Sequence, residues 1–264
     1  PVSIVYDLIP DVAEMTQEGR GKDKKPESLK WFLDYVRKMD GSFGRISIRF
    51  GTPVEINAEN SVEIVMGGKQ GQSYTGKLSR FALELVHKIN QITPVTTASL
   101  ICISLLSKFS LNKNTIESDV VDLMRLIEQT KPDALVDRGK PIGESVQIAL
   151  NILQRANLIL QHGDTLDAKY VLNSESYLQA TYYANMSVHH LYHRAFIELA
   201  LLQSATVPEE ERQEAFWSAI MKLRSLFKFE FFYSRKILFS DEIEANLEIL
   251  DPNWTSLIEA PKAK

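Results

Sequence analysis

The chain has 264 residues, of which 44% are hydrophobic and 24% are charged, and its formal net charge is −4. This length allows a sizeable core in one large domain or two smaller ones, and the composition excludes global disorder. The negative net charge gives no electrostatic support for nucleic-acid binding. The single cysteine, Cys102, excludes an internal disulfide and a cysteine-built metal site, and its apolar neighbours predict a small core residue.

No segment contains the roughly 20 consecutive apolar residues that a membrane-spanning helix needs. The first residues also lack the charged and then apolar pattern of a signal peptide. Because the sequence opens with proline inside an apolar run and without methionine, we expect a fragment of a longer protein.

The first part of the sequence predicts a strand, a helix and a second strand. Residues 1–7 are nearly all apolar, as expected of a parallel strand covered on both faces. A basic loop, residues 21–25, precedes a helix that Pro26 is suited to start, and residues 45–50 alternate as in a strand. Together they make one crossover of an α/β sheet. The helix places its apolar side chains on one face: Leu29, Phe32, Leu33, Val36 and Met39.

A polar, glycine-containing segment at residues 57–73 predicts a linker between two domains, residues 1–66 and residues 74–264. The second domain is expected to be mostly helical, with a helix of residues 114–129 opened by a capping box of Asn114 and Glu117. Residues 158–172 predict two short strands around a Gly-Asp turn, which gives a winged-helix-like order. Further helices are predicted at residues 78–89, 95–107, 143–157, 174–203 and 208–227.

Four stretches, in this order, resemble motifs of one enzyme family. They are PVSIVYD with G-x-x-K-x-x-E-S-L and Gly-Arg-x-x-x-x-Phe-Gly-x-Pro, then INQITPVTTASLICISLLS, then TYYANMSVHHL, then LFKFEFFYSR. This pattern is similar to the glycerol-3-phosphate acyltransferases of the large bacterial and mitochondrial type. Two positions depart from the family pattern, since Ala184 replaces an arginine and Thr52 replaces an acidic residue. The loop residues that match in place are Gly21, Lys24, Glu27, Ser28 and Leu29.

The resemblance implies an enzyme of phospholipid synthesis, peripheral on the cytoplasmic face of the cell membrane. In the family, a histidine of a His-x4-Asp dyad activates the sn-1 hydroxyl of glycerol 3-phosphate. The hydroxyl then attacks the thioester of acyl-CoA or acyl-carrier protein. The family's dyad precedes the PVSIVYD strand, so the resemblance implies that this chain holds no catalytic residue and is inactive alone. It would contribute substrate-binding residues, Pro1, Tyr6, Lys24 and Glu27, and would need no cofactor beyond the acyl donor.

Two other functions remain open at this stage. A dihydroxyacetone-phosphate acyltransferase shares the same motifs, and only an assay with both acceptors separates the two enzymes. A non-catalytic winged-helix-like module of residues 95–172, for interaction or nucleic-acid binding, would need a basic recognition helix. The segment 143–157 offers only Arg155, so we predict no nucleic-acid partner.

Several smaller patterns have ordinary structural interpretations. His162 and Asp167 have the dyad spacing, but they lie in a hairpin turn far downstream of the opening strand, so we reject them as catalytic. His189 and His193 could face one metal ion from a helix, but no third ligand is evident and we predict no metal site. The aromatic and basic tail FKFEFFYSRK is compatible with a membrane surface and equally with a core helix end. Without the family match, the lysines of the loop would be a solvated turn.

Overall fold

The computed structural model describes residues 1–9, 11–23, 28, 29, 31–33, 36, 44–54, 75–163 and 168–258. Side chains of residues 75–80 and of residue 257 are not among those described. The chain forms two compact units. We call Pro1–Ser3, Phe50–Ile92 and His189–Lys264 unit 1, and Ile4–Arg49 with Thr93–Val188 unit 2. The linker predicted at residues 57–73 lies outside the described residues, so the predicted domains remain a prediction.

The described part of the chain is mostly helical, with two small sheets. The strands are β1 (Val2–Tyr6), β2 (Ile46–Phe50), β3 (Leu111–Asn112), β4 (Ile159–His162) and β5 (Lys169–Leu172). The helices are α1 (Val12–Gly19), α2 (Thr75–Ile92), α3 (Thr97–Ser107), α4 (Lys113–Thr130), α5 (Ile142–Arg155), α6 (Tyr177–Val188), α7 (Tyr192–Ser204), α8 (Arg212–Leu226), α9 (Lys236–Leu250) and α10 (Thr255–Ile258).

Strands β1 and β2 form a two-stranded sheet within the described residues, and the predicted parallel crossover is wrong. The N–H of Asp7 donates to the Arg45 carbonyl, and the N–H of Gly51 donates to the Pro1 carbonyl, so the strands run antiparallel. Strand β1 is also not covered on both faces, because its residues alternate between exposed and buried. An antiparallel pair can leave one face uncovered, and this pair does so with apolar side chains.

In the segment after the basic loop, Leu29 is helical. Pro26 lies outside the described residues, so its place at the helix start stays a prediction. Ser28 acts as an N-cap, because its hydroxyl accepts a hydrogen bond from the N–H of Trp31 at 3.1 Å. The predicted apolar face of this helix is exposed as far as it is described. The side chain of Leu29 is 78% exposed, and those of Phe32, Leu33 and Val36 are about half exposed.

Unit 2 is built around helix α3, which lies at the position predicted from the sequence and has buried residues on all sides. Leu100, Ile101, Cys102 and Leu105 are buried on successive sides of it, and α3 packs against α4, α5 and α6. Helices α4 and α5 and the hairpin of β4 and β5 lie close to their predicted positions. Strand β3 was not predicted; it pairs with β5 and completes a three-stranded antiparallel sheet.

The start of α4 differs from its prediction. Asn112, not Asn114, is the N-cap, and its side-chain oxygen accepts from the N–H of Thr115 at 2.8 Å. The predicted capping box of Asn114 and Glu117 is therefore wrong by two residues.

The long helix predicted at residues 174–203 is interrupted between α6 and α7. Helix α6 buries Ala180, Tyr183, Ala184 and Ser187, and a straight continuation would turn residues 191, 194 and 198 to that face. Helix α7 instead buries Phe196, Ile197 and Ala200. The spacing of the buried residues in α6 therefore does not continue into α7. The two helices belong to different units.

Unit 1 has its own apolar core, formed largely by α7, α8 and α9. Helix α9 was not predicted from the sequence. Aromatic rings of the tail join this core: Phe231 stacks on Tyr192 at 5.1 Å between ring centroids, and Tyr233 meets the Tyr192 ring edge-on at 5.3 Å. The largest fully buried side chains described in unit 1 are Phe216 and Phe239. Among the described residues, no helix is long and apolar enough to span a bilayer.

Candidate functional site at the anchored strand pair

Strands β1 and β2 present an exposed apolar surface, which we call the strand-pair face and define in unit 2 by Ile4, Tyr6, Ile46 and Ile48. These side chains are 52%, 36%, 60% and 53% exposed. They share one face because side chains alternate along a strand, and Val5 and Asp7 point to the opposite, buried face. Exposed aliphatic and aromatic side chains grouped in this way are typical of a surface that contacts another apolar group.

The end of β1 is anchored by a cluster of charges beneath this face, the Asp7–Arg45–Asp137 cluster. The Asp7 carboxylate accepts hydrogen bonds from the backbone N–H of Arg45 at 2.9 Å and from its Nε at 3.2 Å. Both terminal nitrogens of Arg45 donate to the two oxygens of Asp137, with Nη2 to Oδ2 at 2.8 Å. The fork of the guanidinium therefore links two buried carboxylates and fixes the end of β1 within unit 2.

Two more donors complete the hydrogen bonding of Asp137. The Thr97 hydroxyl, at the start of α3, donates to Oδ2 at 2.8 Å, and Lys140 Nζ donates to Oδ1 at 3.1 Å. Burial by itself would raise the pKa of Asp137, but the hydrogen bonds from Arg45, Thr97 and Lys140 outweigh it and lower this pKa to about 2. The hydrogen bond to Asp137 in turn raises the pKa of Arg45. Both groups stay charged near neutral pH, so the cluster suits anchoring and not proton transfer.

Gly44 allows the backbone before Arg45 to pass close to the side chain of Asp7. Its φ is +81°, and a Cβ at this position would lie 2.5 Å from the Cβ of Asp7. A side chain here would therefore meet both backbone strain and a steric clash. The Gly-Arg pair quoted in the family resemblance has a structural role, since glycine permits the close approach and Arg45 makes the ionic contacts.

Tyr183 supports the chain just after β1. Its buried hydroxyl accepts from the N–H of Ile9 at 2.9 Å and donates to the carbonyl of the same residue at 3.3 Å. Burial raises the pKa of this phenol, so it remains a neutral donor and acceptor. Tyr183 belongs to the TYYANM stretch, and the neighbouring Ala184 is buried. One of the family-like motifs thus contacts the chain two residues after the end of another, PVSIVYD.

The predicted substrate-binding residues are only partly described. Tyr6 lies on the strand-pair face. Pro1 is half-buried, and its carbonyl accepts the N–H of Gly51 at 2.9 Å. Lys24 and Glu27 lie outside the described residues.

Of the histidine patterns predicted from the sequence, the pair His189 and His193 has structural partners. His162 is exposed at the end of β4, and Asp167 lies outside the described residues. His189 Nε2 is 2.9 Å from the carbonyl of Asn90, and His193 Nε2 is 3.2 Å from Glu242. No group of three or more metal-binding side chains occurs among the described residues.

Sequence reasoning missed the anchoring roles of Asp7, Thr97 and Asp137. Asp7 and Arg45 stand in quoted motifs, which was a usable signal for functional or structural importance. Asp137 gave no signal, because it is 92 residues from Arg45 and no local pattern connects them.

The described residues thus define a mostly helical protein that carries an anchored apolar strand pair. Residues 15–262 match the family model described as glycerol-3-phosphate acyltransferase C-terminal region. The chain belongs to this family, which confirms the resemblance seen in its motifs.

Curated relatives agree with this assignment. Proteins named as the acyltransferase plsB1 from Mycobacterium tuberculosis (strain H37Rv) and Mycobacterium bovis are each 28% identical over 251 residues, covering 92% of this chain and 39% of the relative. A protein named glycerol-3-phosphate acyltransferase from Shewanella woodyi is 23% identical over 224 residues, covering 80% of this chain and 27% of the relative. The chain therefore spans about two fifths or less of the length of these relatives.

Proposed function

We propose that this chain is the C-terminal part of an enzyme that transfers a fatty acyl group to the sn-1 hydroxyl of glycerol 3-phosphate. The acyl donor is acyl-CoA or acyl-carrier protein, and the product is lysophosphatidate. The family match over residues 15–262 supports the reaction class. The catalytic His-x4-Asp dyad belongs, in this proposal, to a part of the full-length protein outside the present sequence.

The exposed apolar surface of the strand-pair face is the observation that supports a role for particular residues. Ile4, Tyr6 and Ile48 expose apolar surface, while Arg45 and Asp137 hold the strand pair from below. A surface that is apolar and rigidly anchored can contact an acyl chain or the remainder of an acyltransferase domain. We propose that it forms one wall of the acyl-transfer site. We also propose that Pro1, the residue before β1, binds substrate.

Lys24 and Glu27 complete the proposed substrate site. A lysine in a loop before a helix start can neutralise a phosphate, and Glu27 can accept hydrogen bonds from substrate hydroxyls. In the full-length enzyme, Lys24→Ala should raise KM for glycerol 3-phosphate at least tenfold. Lys22→Ala, in the same loop, serves as the control. Equal effects of both variants would contradict a specific role for Lys24.

The reaction is tested by comparing the 264-residue chain with the full-length protein. Acyl transfer from palmitoyl-CoA to radiolabelled glycerol 3-phosphate should be measurable only for the full-length protein. Measurable turnover by the chain alone would refute the placement of the dyad. A parallel assay with dihydroxyacetone phosphate tests the second acceptor, which would replace the first if it gave the higher kcat/KM.

The strand-pair face is tested with a matched pair of variants. In the full-length enzyme, Ile4→Ser should lower kcat/KM at least tenfold, because it places a hydroxyl on the proposed apolar wall. Leu160→Ser is the control, since Leu160 is also a partly exposed apolar strand residue, 38% exposed on β4. Similar losses in both variants would indicate a general effect on folding and would argue against this face.

We also propose peripheral attachment to the cytoplasmic face of the membrane. Phe229 in the tail is 88% exposed, and Lys228 Nζ lies 4.9 Å from its ring centroid, a combination suited to an anionic lipid interface. Phe229→Ser should reduce co-sedimentation with phosphatidylglycerol vesicles about threefold or more. Phe109→Ser alters an equally exposed ring, 98% exposed, in unit 2 and should leave co-sedimentation unchanged. If the unmodified chain did not bind to vesicles, the proposal of membrane attachment would be wrong.

A further inference from the structure

Unit 1 contains a concave site where one side of α2 meets the N-terminal end of α9. We call it the α2–α9 groove, and its volume is about 850 Å³, within the range of small-molecule sites. Its apolar lining includes Leu83, Tyr233 and Leu238. The groove therefore has room for a ligand considerably larger than an inorganic ion.

The charges that line the groove are mostly positive. Lys88, Arg224, Arg235 and Lys236 stand against two carboxylates, Glu84 and Glu242. Glu84 is shared, since it pairs with Lys88 at 3.8 Å and with Arg235 at 3.3 Å. The cations of the groove therefore exceed its carboxylates.

Glu242 is already occupied by local donors. The Ser234 hydroxyl donates to its Oε2 at 2.9 Å, and His193 Nε2 lies 3.2 Å from the same oxygen. His87 stands close by; its Nδ1 lies 3.0 Å from the Phe232 carbonyl and donates to it, because a carbonyl oxygen can only accept. Burial would raise the pKa of Glu242, but the hydrogen bonds that it accepts outweigh burial and lower this pKa, so Glu242 stays ionised. The groove lining therefore holds four cations against two carboxylates.

Two buried polar atoms in the lining side chains make no hydrogen bond with the described residues: Arg224 Nε and Tyr233 Oη. The Arg224 guanidinium is positioned by its neighbours, since its Nη2 donates to the Ser234 carbonyl at 3.0 Å and its carbon lies 5.1 Å from the Tyr233 ring centroid. Helix α9 begins at Lys236, and Arg235 at the N-cap makes no side-chain cap. The positive end of the α9 dipole therefore adds to the fixed cations.

We propose that the α2–α9 groove binds a phosphate monoester, with the phosphate near Arg235 and Lys236 and any attached apolar chain against Leu83 and Leu238. Arginine and lysine around a helix N-terminus provide charge and hydrogen-bond donors suited to a doubly charged phosphate. The apolar wall favours a lipid-linked phosphate over a free one. This site lies in unit 1 and does not depend on the proposed acyl-transfer function.

Isothermal titration calorimetry with the 264-residue chain tests this proposal at constant ionic strength. Inorganic phosphate, glycerol 3-phosphate and monomeric lysophosphatidate are the three ligands. Saturable binding of lysophosphatidate at least fivefold tighter than glycerol 3-phosphate supports a lipid source, and equal affinities support a free phosphate ester. No saturable binding of any of the three overturns the proposal.

A charge-matched pair of double variants locates the site. Arg235→Gln with Lys236→Gln should weaken phosphate-ester binding at least tenfold. Arg194→Gln with Lys222→Gln removes the same charge from residues of unit 1 outside the groove lining and should change binding less than twofold. Equal weakening in both would mean unspecific charge attraction and would overturn the site. These measurements need no turnover, so their failure is distinguishable from failure of the proposed acyl transfer.

Discussion

Asp137 is a buried carboxylate that contacts two cations of unit 2, Arg45 and Lys140. Its environment explains why a buried charge is tolerated at this position. Its side chain is 4% exposed, and it accepts hydrogen bonds from Arg45, Thr97 and Lys140. A buried charge with so many donors is stabilising only while every partner is present. Removal of one partner should therefore cost more than the intact cluster contributes.

We expect Asp137→Asn to lower the free energy of unfolding at pH 7 by about 3 kcal/mol, because it leaves Arg45 without a carboxylate partner at its fork. The pKa of Asp137 is lowered to about 2 from a reference of 3.8. Its contribution is therefore complete above about pH 4 and is lost as the pH falls towards 2. This loss should be about 1–2 kcal/mol, discounted because Arg45 is partly exposed and screened by solvent. Urea unfolding at pH 7, 5 and 2.5 measures both effects.

Asp133→Asn is the control for this prediction, because Asp133 is 99% exposed and lies in the same segment. It should change stability by less than about 0.5 kcal/mol. If the two variants had the same pH dependence, the proposed role of Asp137 in acid stability would be wrong.

Gly44 and Gly139 form a natural comparison at the residue scale. Both have positive φ, +81° and +78°, but of the two only Gly44 has a neighbour within 4 Å of the place where a Cβ would stand, the side chain of Asp7. Gly139→Ala should cost about 1 kcal/mol from backbone strain alone, whereas Gly44→Ala adds the displacement of Asp7 and should cost about 2–4 kcal/mol. Chemical denaturation measures both, and equal costs would show that the Asp7 contact is unimportant.

At the scale of elements, the capping of α4 gives a direct comparison between sequence and structure. Asn112→Ala should lower the free energy of unfolding by about 1 kcal/mol, because the N–H of Thr115 loses its acceptor. Asn114→Ala should be neutral or slightly stabilising, since Asn114 is exposed within the helix and alanine has the higher helix propensity. Thermal denaturation of both variants decides between the two capping positions. A larger loss from Asn114→Ala would favour the predicted capping box.

Helices were predictable from sequence where the apolar side chains of the whole element face a single core. Helix α3 and helix α5 follow their patterns closely for this reason. The break between α6 and α7 could not be read locally, since each helix is regular and only the phase of the buried positions differs. Helix α9 was not predicted, although its buried Phe239, Ile243 and Leu247 recur every four residues, which is a helical spacing that the sequence does contain.

The strand pair shows a different limit of sequence reasoning. The residues of β1 are apolar on both faces, which is typical of a buried parallel strand, yet Ile4 and Tyr6 are exposed. Burial of these side chains depends on what covers the sheet, and sequence periodicity carries no such information. The motif match indicated that this region matters, but the anchoring by Asp137 required the tertiary structure.

For the whole molecule, the family match spans nearly all of this chain, whereas the chain spans only part of its relatives. The match covers residues 15–262, while the mycobacterial relatives are much longer than the region aligned with them, which is 39% of their length. We therefore propose that the activity of the full-length protein depends on parts that this sequence does not contain. The C-terminal region contributes the strand-pair face and, as we propose, a separate phosphate-ester site.

Unit 2 also contains the element order helix, strand, helix, helix, strand, strand, in α3, β3, α4, α5, β4 and β5, which is the winged-helix order. Fold order alone does not establish nucleic-acid binding. Helix α5, which would be the recognition helix, carries one arginine, Arg155, and one glutamate, Glu144. The net charge of the chain is −4. Neutralisation of several phosphates by such a surface is therefore unfavourable.

We expect no saturable binding of a 20-base-pair duplex by the 264-residue chain at about 0.15 M salt, measured by fluorescence anisotropy. Any weak binding at low salt should fall steeply as salt is added and should not depend on sequence. Arg155→Gln should leave the anisotropy unchanged, because a single cation contributes little without neighbouring ones. Saturable, sequence-dependent binding that Arg155→Gln abolishes would instead show that the winged-helix order of unit 2 has a nucleic-acid function, in addition to any part in the proposed acyl transfer.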